Sequence, residues 1–130
     1  MIVLDTHAWI WWTIDPDRLS EAQRQAIAAS EGDRIGVSAF SCWEVAKLCE
    51  YGRLELPVEV SEWFRLAFQY PGVSLLELTP EIAVESTKLP GRFHRDPADQ
   101  VIVATARVHR SALVTSDVKM ATYPHVQTVE

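Results

Sequence analysis

The chain has 130 residues, a length typical of one domain with a buried core, and we expect a single domain over residues 1–130. Hydrophobic residues make up 48% and charged residues 23%, a composition typical of soluble globular proteins that excludes a disordered chain. The net charge of −6 argues against a protein that binds nucleic acid through its overall surface charge, unless the acids are gathered in one metal-binding site.

No apolar run approaches the roughly 20 residues that a membrane span needs, and the N-terminus lacks the basic segment of a secretory signal. We therefore expect a cytoplasmic protein with no membrane partner. Cys42 and Cys49 fall in one predicted helix, too far apart along its axis to form a disulfide, so we expect two free thiols.

Strands and helices alternate along the first half of the sequence. The apolar run from Ile2 to Leu4 ends at Asp5 and predicts a buried strand. Residues 7–14 predict a short helix, and Ser20 with Gln23 forms a capping box for the next one. Further elements follow in order: a strand over 34–38, a helix beginning at Ser41 and ended by Gly52, and a helix over 62–70 capped by Ser61.

The second half continues the alternation. A strand is predicted over 73–79, and Thr79-Pro80 begins a helix that extends to about Leu89. Asp96-Pro97 begins a helix over 98–109 that is apolar on most sides and therefore central. A fourth strand follows over 112–115 and an edge strand over 126–129. The alternation predicts an α/β fold of three layers with a mainly parallel sheet of four to five strands flanked by helices.

Four acids stand at strand ends or in the first turns of the following helices: Asp5, Glu44, Asp99 and Asp117. Three of them have a structural explanation. Glu44 completes a capping box with Ser41, Asp99 suits the positive end of a helix dipole, and Asp117 suits an Asx turn. Asp5 has no structural role that the sequence reveals, since it ends an apolar strand.

The four acids are predicted to converge, because strand ends and helix N-termini meet at one edge of a parallel sheet. Like charges held close together need protons or a cation to neutralise them. Oxygen ligands without histidine or cysteine favour Mg²⁺ or Mn²⁺ over zinc, and such a site suits the hydrolysis of phosphodiesters.

Four segments together resemble the PIN-domain ribonucleases, and among them the VapC toxins of bacterial type II toxin–antitoxin pairs. The segments are Leu4-Asp5-Thr6-His7, Ser41–Lys47 with Gly52-Arg53-Leu54, His94–Asp99, and Leu113–Asp117, and they span almost the whole chain in the family's order. The resemblance implies a PIN fold and Mg²⁺-dependent endoribonuclease activity, with Mn²⁺ as a possible substitute. It also implies a homodimer and inhibition by a cognate VapB-type antitoxin.

The resemblance also implies roles for individual residues. Asp5, Glu44 and Asp99 correspond to the catalytic acids that bind the metal, and Asp117 corresponds to a more variable fourth acid. Asp96 matches the first acid of the Asp-Pro-x-Asp segment, where we favour helix capping over metal binding. Gln100 departs from the pattern, because many relatives have an arginine there.

Contacts with an RNA substrate are predicted in two places. Arg92, His94 and Arg95 put basic groups in the loop before Asp99, where they would hold phosphates, with solvated residues that balance nearby acids as the alternative. Thr115 and Ser116 are expected to position water or phosphate. The alternative for the whole protein is a non-catalytic PIN-like binding partner or co-repressor in a toxin–antitoxin operator complex.

Overall fold

A computed structural model describes residues 1–130 as a five-stranded sheet with helices on both faces. The strands are β1 (Ile2–Leu4), β2 (Ile35–Ser38), β3 (Val73–Leu76), β4 (Ala112–Val114) and β5 (Thr128–Val129). The helices are α1 (Thr6–Ile14), α2 (Glu21–Ala29), α3 (Ala39–Glu50), α4 (Val60–Ala67), α5 (Pro80–Ser86), α6 (Pro97–Val108) and α7 (Val118–Ala121), with a 3₁₀ turn over Pro16–Arg18.

All neighbouring strands are parallel, in the order β3-β2-β1-β4-β5. The chain runs from β1 outward through β2 to β3, and later fills the other side of β1 with β4 and β5. The strand order therefore reverses between β1 and β4, which is where open α/β sheets leave a crevice at their carboxyl edge. The predicted α/β fold with a parallel sheet is confirmed, including the edge position of β5.

The two faces of β1 belong to different parts of the core. Ile2 and Leu4 pack on one face with Trp9 of α1 and other apolar groups from α2 and α4. Val3 packs on the opposite face with apolar residues of α6 and α7. This alternation along a three-residue strand produces the three layers. No helix in the structure is long and apolar enough to cross a membrane.

Several helix boundaries differ from those predicted, and α3 and α4 begin earlier because a nearby side chain caps each of them. Helix α3 begins at Ala39, since the hydroxyl of Ser38 accepts the N–H of Phe40. Helix α4 is capped by the carboxylate of Glu59 instead of Ser61. Helix α5 ends at Ser86, three residues before the predicted end at Leu89. The predicted capping box of Ser20 and the free thiols are confirmed.

Helices α3 and α6 end in the same hydrogen-bonded motif with different residues in its left-handed position. After α3, Gly52 has φ of 69°, and the N–H groups of Gly52 and Arg53 donate to the carbonyls of Cys49 and Leu48. After α6, Arg110 takes φ of 52°, and the N–H groups of Arg110 and Ser111 donate to the last turn in the same pattern. Both are Schellman motifs, in which glycine is the favoured residue at this position.

Replacing Arg110 with glycine is therefore expected to stabilise the protein by about 0.5–1 kcal/mol, because glycine adopts positive φ without steric cost. The matched control is Gly52→Ala, which introduces the same strain into the other motif and should destabilise by about 1 kcal/mol. Urea denaturation of the three proteins measures both changes. A loss of stability in Arg110→Gly would show that the arginine side chain contributes more than its backbone strain costs.

Candidate active site

A pocket of about 190 Å³ opens at the carboxyl edge of the sheet, between β1 and β4. Its lining contains five carboxylates and no lysine or arginine: Asp5, Glu44, Asp96, Asp99 and Asp117, together with Thr6, His7, Ile102 and Met120. The four acids predicted to converge therefore meet in one place, joined by Asp96. Their predicted roles as metal ligands remain predictions.

Asp5 is the most deeply buried of the acids, with only 3% of its surface exposed. Its Oδ1 accepts the N–H of Ala8 at 2.8 Å, so Asp5 caps α1, a structural role that the sequence does not reveal. Its Oδ2 accepts the hydroxyl of Thr115 at 2.5 Å, and that hydroxyl in turn accepts the N–H of Asp117 at 3.0 Å. Thr115, which follows β4, thus fixes the orientation of Asp5, which follows the neighbouring strand β1.

Glu44 is held in the pocket by Thr6, the residue that follows Asp5. The Thr6 hydroxyl donates to Glu44 Oε1 at 2.5 Å and lies 2.9 Å from the hydroxyl of the buried Ser41. The predicted capping box of Ser41 and Glu44 is wrong, because α3 begins at Ala39 and Glu44 lies in its second turn. Helix capping therefore does not account for Glu44.

Asp96 and Asp99 enter the pocket at the start of α6. As predicted, Asp96 caps the helix, since its Oδ1 accepts the N–H of Asp99 at 3.1 Å. Nε2 of His94 lies 3.0 Å from Oδ2 of Asp99, although the two atoms are not aligned as a hydrogen bond. Gln100 donates to the carbonyl of His94 at 3.0 Å, so the residue that departs from the family pattern holds this loop in place.

Asp117 forms the predicted Asx turn, because its Oδ1 accepts the N–H of Lys119 at 2.8 Å, and through this turn it caps the short helix α7. Asp5, Asp96 and Asp117 are thus the N-caps of α1, α6 and α7. The positive ends of the longer helices α1 and α6 face the pocket and offset part of the repulsion between its acids.

Burial and mutual repulsion raise the pKa of three carboxyl groups in the pocket. For Asp5 and Glu44 the main cause is burial, partly offset by the hydrogen bonds from Thr115 and Thr6. For Asp99, burial followed by the charges of Asp96, Asp117, Glu44 and Asp5 raises the pKa to about 7. The ionised pocket therefore carries negative charge that no lysine or arginine of its lining neutralises.

The donor set suits a hard divalent cation such as Mg²⁺, because five carboxylates dominate it and it contains no cysteine. The expectation of a site without histidine is wrong, since His7 also lines the pocket. No three of the acidic side chains are already gathered around a single point. Mg²⁺ tolerates this arrangement, since it keeps several waters and takes only one or two carboxylates directly. The residues present therefore fit the metal.

Of the five residues predicted to contact substrate, two lie against acids of the pocket and three do not. His94 is half-buried against Asp99, and Thr115 is buried against Asp5. Arg92, Arg95 and Ser116 do not line the pocket; the two arginines are exposed, and the Ser116 hydroxyl accepts the side-chain N–H of Gln23 at 3.0 Å. Sequence reasoning missed Thr6, whose contact with Glu44 joins positions 38 residues apart and leaves no local signal.

Comparison with known proteins agrees with this geometry. A family model described as "PIN domain" matches residues 2–126. The protein "Ribonuclease VapC22" of Mycobacterium tuberculosis (strain ATCC 25618 / H37Rv) is 37% identical over 128 residues, which cover 98% of this chain and 95% of that relative.

Two solved structures show the same fold. The structure of VapBC-1 from nontypeable Haemophilus influenzae matches with a TM-score of 0.71 and 20% identity, covering 100% of this chain and 98% of that one. FitAcB from Neisseria gonorrhoeae matches with a TM-score of 0.68 and 20% identity, covering 100% and 97%. Together with the sequence matches, they confirm the resemblance read from the motifs: the chain belongs to the PIN-domain family, and within it to the VapC proteins.

Proposed function

We propose that the protein is a Mg²⁺-dependent endoribonuclease that acts in the cytoplasm as the toxin of a type II toxin–antitoxin pair. The ribonuclease assignment follows the family and the relative named Ribonuclease VapC22. The observation that carries the metal dependence is the pocket of five carboxylates without lysine or arginine, at the point where the strand order reverses.

Asp5, Glu44 and Asp99 would hold the ion, with Asp117 in support. With Mg²⁺ or Mn²⁺ bound, these acids would provide a site at which a water is more acidic and the charge of the phosphodiester is offset. The chain's own contribution is orientation: Thr115 and Ala8 fix the carboxylate of Asp5, and Thr6 fixes that of Glu44. Because each acid is held by a neighbouring group, little side-chain freedom is lost when the ion binds.

Cleavage of RNA is expected to require Mg²⁺ and to leave 5′-phosphate and 3′-hydroxyl ends, because water and not the 2′-hydroxyl attacks phosphorus. Purified protein is incubated with single-stranded and with structured RNA, in Mg²⁺ or in EDTA, and the ends are tested with an exonuclease that requires a 5′-phosphate. Excess Mg²⁺ should restore activity after chelation. Cleavage that persists in EDTA, or products with 2′,3′-cyclic phosphate ends, would sink the proposed mechanism.

A non-catalytic role as a binding partner or co-repressor is less well supported, because pure binding gives no reason to bury Asp5 and crowd four other acids around it. The same experiment separates the two functions. A protein that binds a partner but cleaves no RNA in Mg²⁺ or Mn²⁺ would favour the non-catalytic role.

We also propose a VapB-type antitoxin as the inhibitor. Structural neighbours of the chain include a toxin–antitoxin complex from Klebsiella pneumoniae. A small protein encoded next to this one should co-purify with it and suppress its RNA cleavage in a stoichiometric titration. Cleavage unaffected by such a partner would contradict the assignment.

A homodimer is proposed from apolar side chains left on the surface. Trp43 of α3 is 55% exposed and Val84 of α5 is 54% exposed, and both helices pack on α6. Trp43→Glu is expected to convert a dimer into a monomer in light-scattering measurements, because a buried carboxylate without a partner is costly. Val58→Glu, which changes an apolar residue 39% exposed in the loop before α4, is the control. A wild-type protein that is monomeric at all concentrations would contradict the proposal.

A further inference from the structure

A second cleft, of about 360 Å³, adjoins the acidic pocket. It lies between α1, the 3₁₀ turn that follows it, and the end of α3, and its polar and aromatic lining includes His7, Trp11, Arg18 and Arg53, with Leu48 and Leu54 as apolar wall. We call it the α1–α3 cleft. His7 lines both cavities, so a ligand in the cleft lies directly beside the catalytic acids.

Trp11 presents a half-buried ring between two groups that suit nucleic acid. The guanidinium of Arg18 lies 4.6 Å from the centre of the Trp11 ring. The ring of His7, one helical turn earlier on the same face of α1, lies 5.9 Å away and is tilted by 55°. Aromatic rings and arginine planes are the surfaces on which unpaired bases stack.

The charge of the α1–α3 cleft is opposite to that of the acidic pocket. Arg18 and Arg53 are exposed and, like most arginines of the chain, take part in no ion pair. They differ from the others in lining one cleft whose only acid is Asp15. In a chain of net charge −6, two arginines without an ion-pair partner beside an aromatic ring form a local site for a phosphate-bearing ligand.

We propose that the α1–α3 cleft is a nucleotide subsite that binds the RNA strand next to the phosphodiester being cut. Trp11 and His7 stack a base, and Arg18 and Arg53 bind its flanking phosphates. The inference rests on the proposed ribonuclease function and adds where the strand lies. RNA fits better than an acidic peptide, because the cleft combines stacking surfaces with cations and opens into the pocket where a phosphodiester must be placed.

The test measures the binding of a fluorescent single-stranded oligoribonucleotide by anisotropy in an Asp99→Asn background, where cleavage is suppressed, with Mg²⁺ present. Arg18→Ala and Arg53→Ala should each weaken binding by about 5- to 10-fold. Each should also lower the slope of log affinity against log salt by about 0.7, the value for one phosphate contact with a single strand. Trp11→Leu, which keeps an apolar side chain, should weaken binding about 10-fold.

The matched control is Arg34→Ala. Arg34 is exposed and lies just before β2, at the amino ends of the strands and so opposite the carboxyl edge that holds the pocket. Its substitution should leave the RNA affinity and the salt slope unchanged. If Trp11→Leu does not fold, the two exposed arginines still decide the outcome. Affinity within about 2-fold of the parent and an unchanged salt slope in both arginine variants would overturn the proposal. Loss of antitoxin binding with RNA binding intact would assign the cleft to a peptide and overturn it too.

The outcomes also separate this inference from the proposed function. If the wild-type protein cleaves RNA and the arginine variants bind RNA as tightly as the parent, the subsite is excluded and the ribonuclease assignment stands. If the wild-type protein cleaves no RNA but the arginine variants bind RNA less tightly, the proposed activity is excluded and the cleft remains an RNA-binding site.

Discussion

Asp5→Asn is expected to abolish RNA cleavage while making the metal-free protein more stable at neutral pH. The amide keeps the shape of the side chain: its oxygen still accepts the N–H of Ala8, and its NH₂ group can donate to Thr115. The substitution removes the negative charge of a buried carboxyl group, and burial raises the pKa of that group. We expect the activity to fall by at least about 10²- to 10³-fold, the scale for losing a main electrostatic element of a catalytic site.

Two measurements on the same protein check this prediction. RNA cleavage is followed in Mg²⁺, and urea denaturation is followed in EDTA, where Asp5→Asn should gain roughly 1–2 kcal/mol. Added Mg²⁺ should raise the stability of the wild-type protein and leave that of Asp5→Asn nearly unchanged. Asp17→Asn, an exposed acid in the 3₁₀ turn, is the control and should behave like wild type. Cleavage within about tenfold of wild type would exclude Asp5 from the reaction.

Raising the pH of the metal-free protein from about 5 to about 8 is expected to lower its stability by roughly 1–3 kcal/mol. The pKa of Asp99 lies at about 7 in the folded protein, above its ordinary value of 3.8, so the folded state retains a proton that the unfolded chain has already released. Asp5 and Glu44 shift in the same direction. The stability that these three carboxyl groups contribute is fully present below their pKa in the unfolded chain. It is lost as the pH rises through their pKa in the folded protein.

Mg²⁺ should reverse this loss, with a larger effect at pH 8 than at pH 5, because protons and the cation compete for the same carboxylates. Urea denaturation in EDTA and in Mg²⁺ at several pH values measures both effects. Asp33 and Glu62 have lowered pKa values and therefore titrate below this window. Asp99→Asn should flatten the pH dependence. Stability in EDTA that rises steadily from about pH 5 to pH 8 would contradict the repulsion inferred in the pocket.

Local sequence signals predict much of this fold. The apolar run before Asp5 is a buried strand, and the caps at Ser20, Thr79 and Asp96 form as their residue types predict. These signals depend on a few neighbouring residues, so one sequence is enough to read them. Convergence of Asp5, Asp99 and Asp117 is predictable for the same reason, because each follows a strand or lies in the first turn of a helix, and parallel strands share one carboxyl edge. Glu44 joins them from the second turn of α3.

Contacts between distant positions could not be predicted in the same way. Ser41 resembles a cap by its type and spacing, but its side chain is buried against Thr6 and the cap is Ser38. The hydroxyl that orients Asp5 comes from Thr115, 110 positions later. Such pairings depend on strand order and on side-chain packing. Only the assembled sheet shows that Thr6 and Thr115 hold the two acids in place.

The position of β1 has a consequence for how this enzyme is made. Strand β1 lies in the middle of the sheet, and one of its two neighbours is β4, formed much later in the sequence by residues 112–114. Until β4 has formed, one side of β1 is unpaired and Asp5 lacks the hydroxyl of Thr115. We therefore expect a nascent chain to remain inactive until residues 112–115 have been synthesised and have packed beside β1.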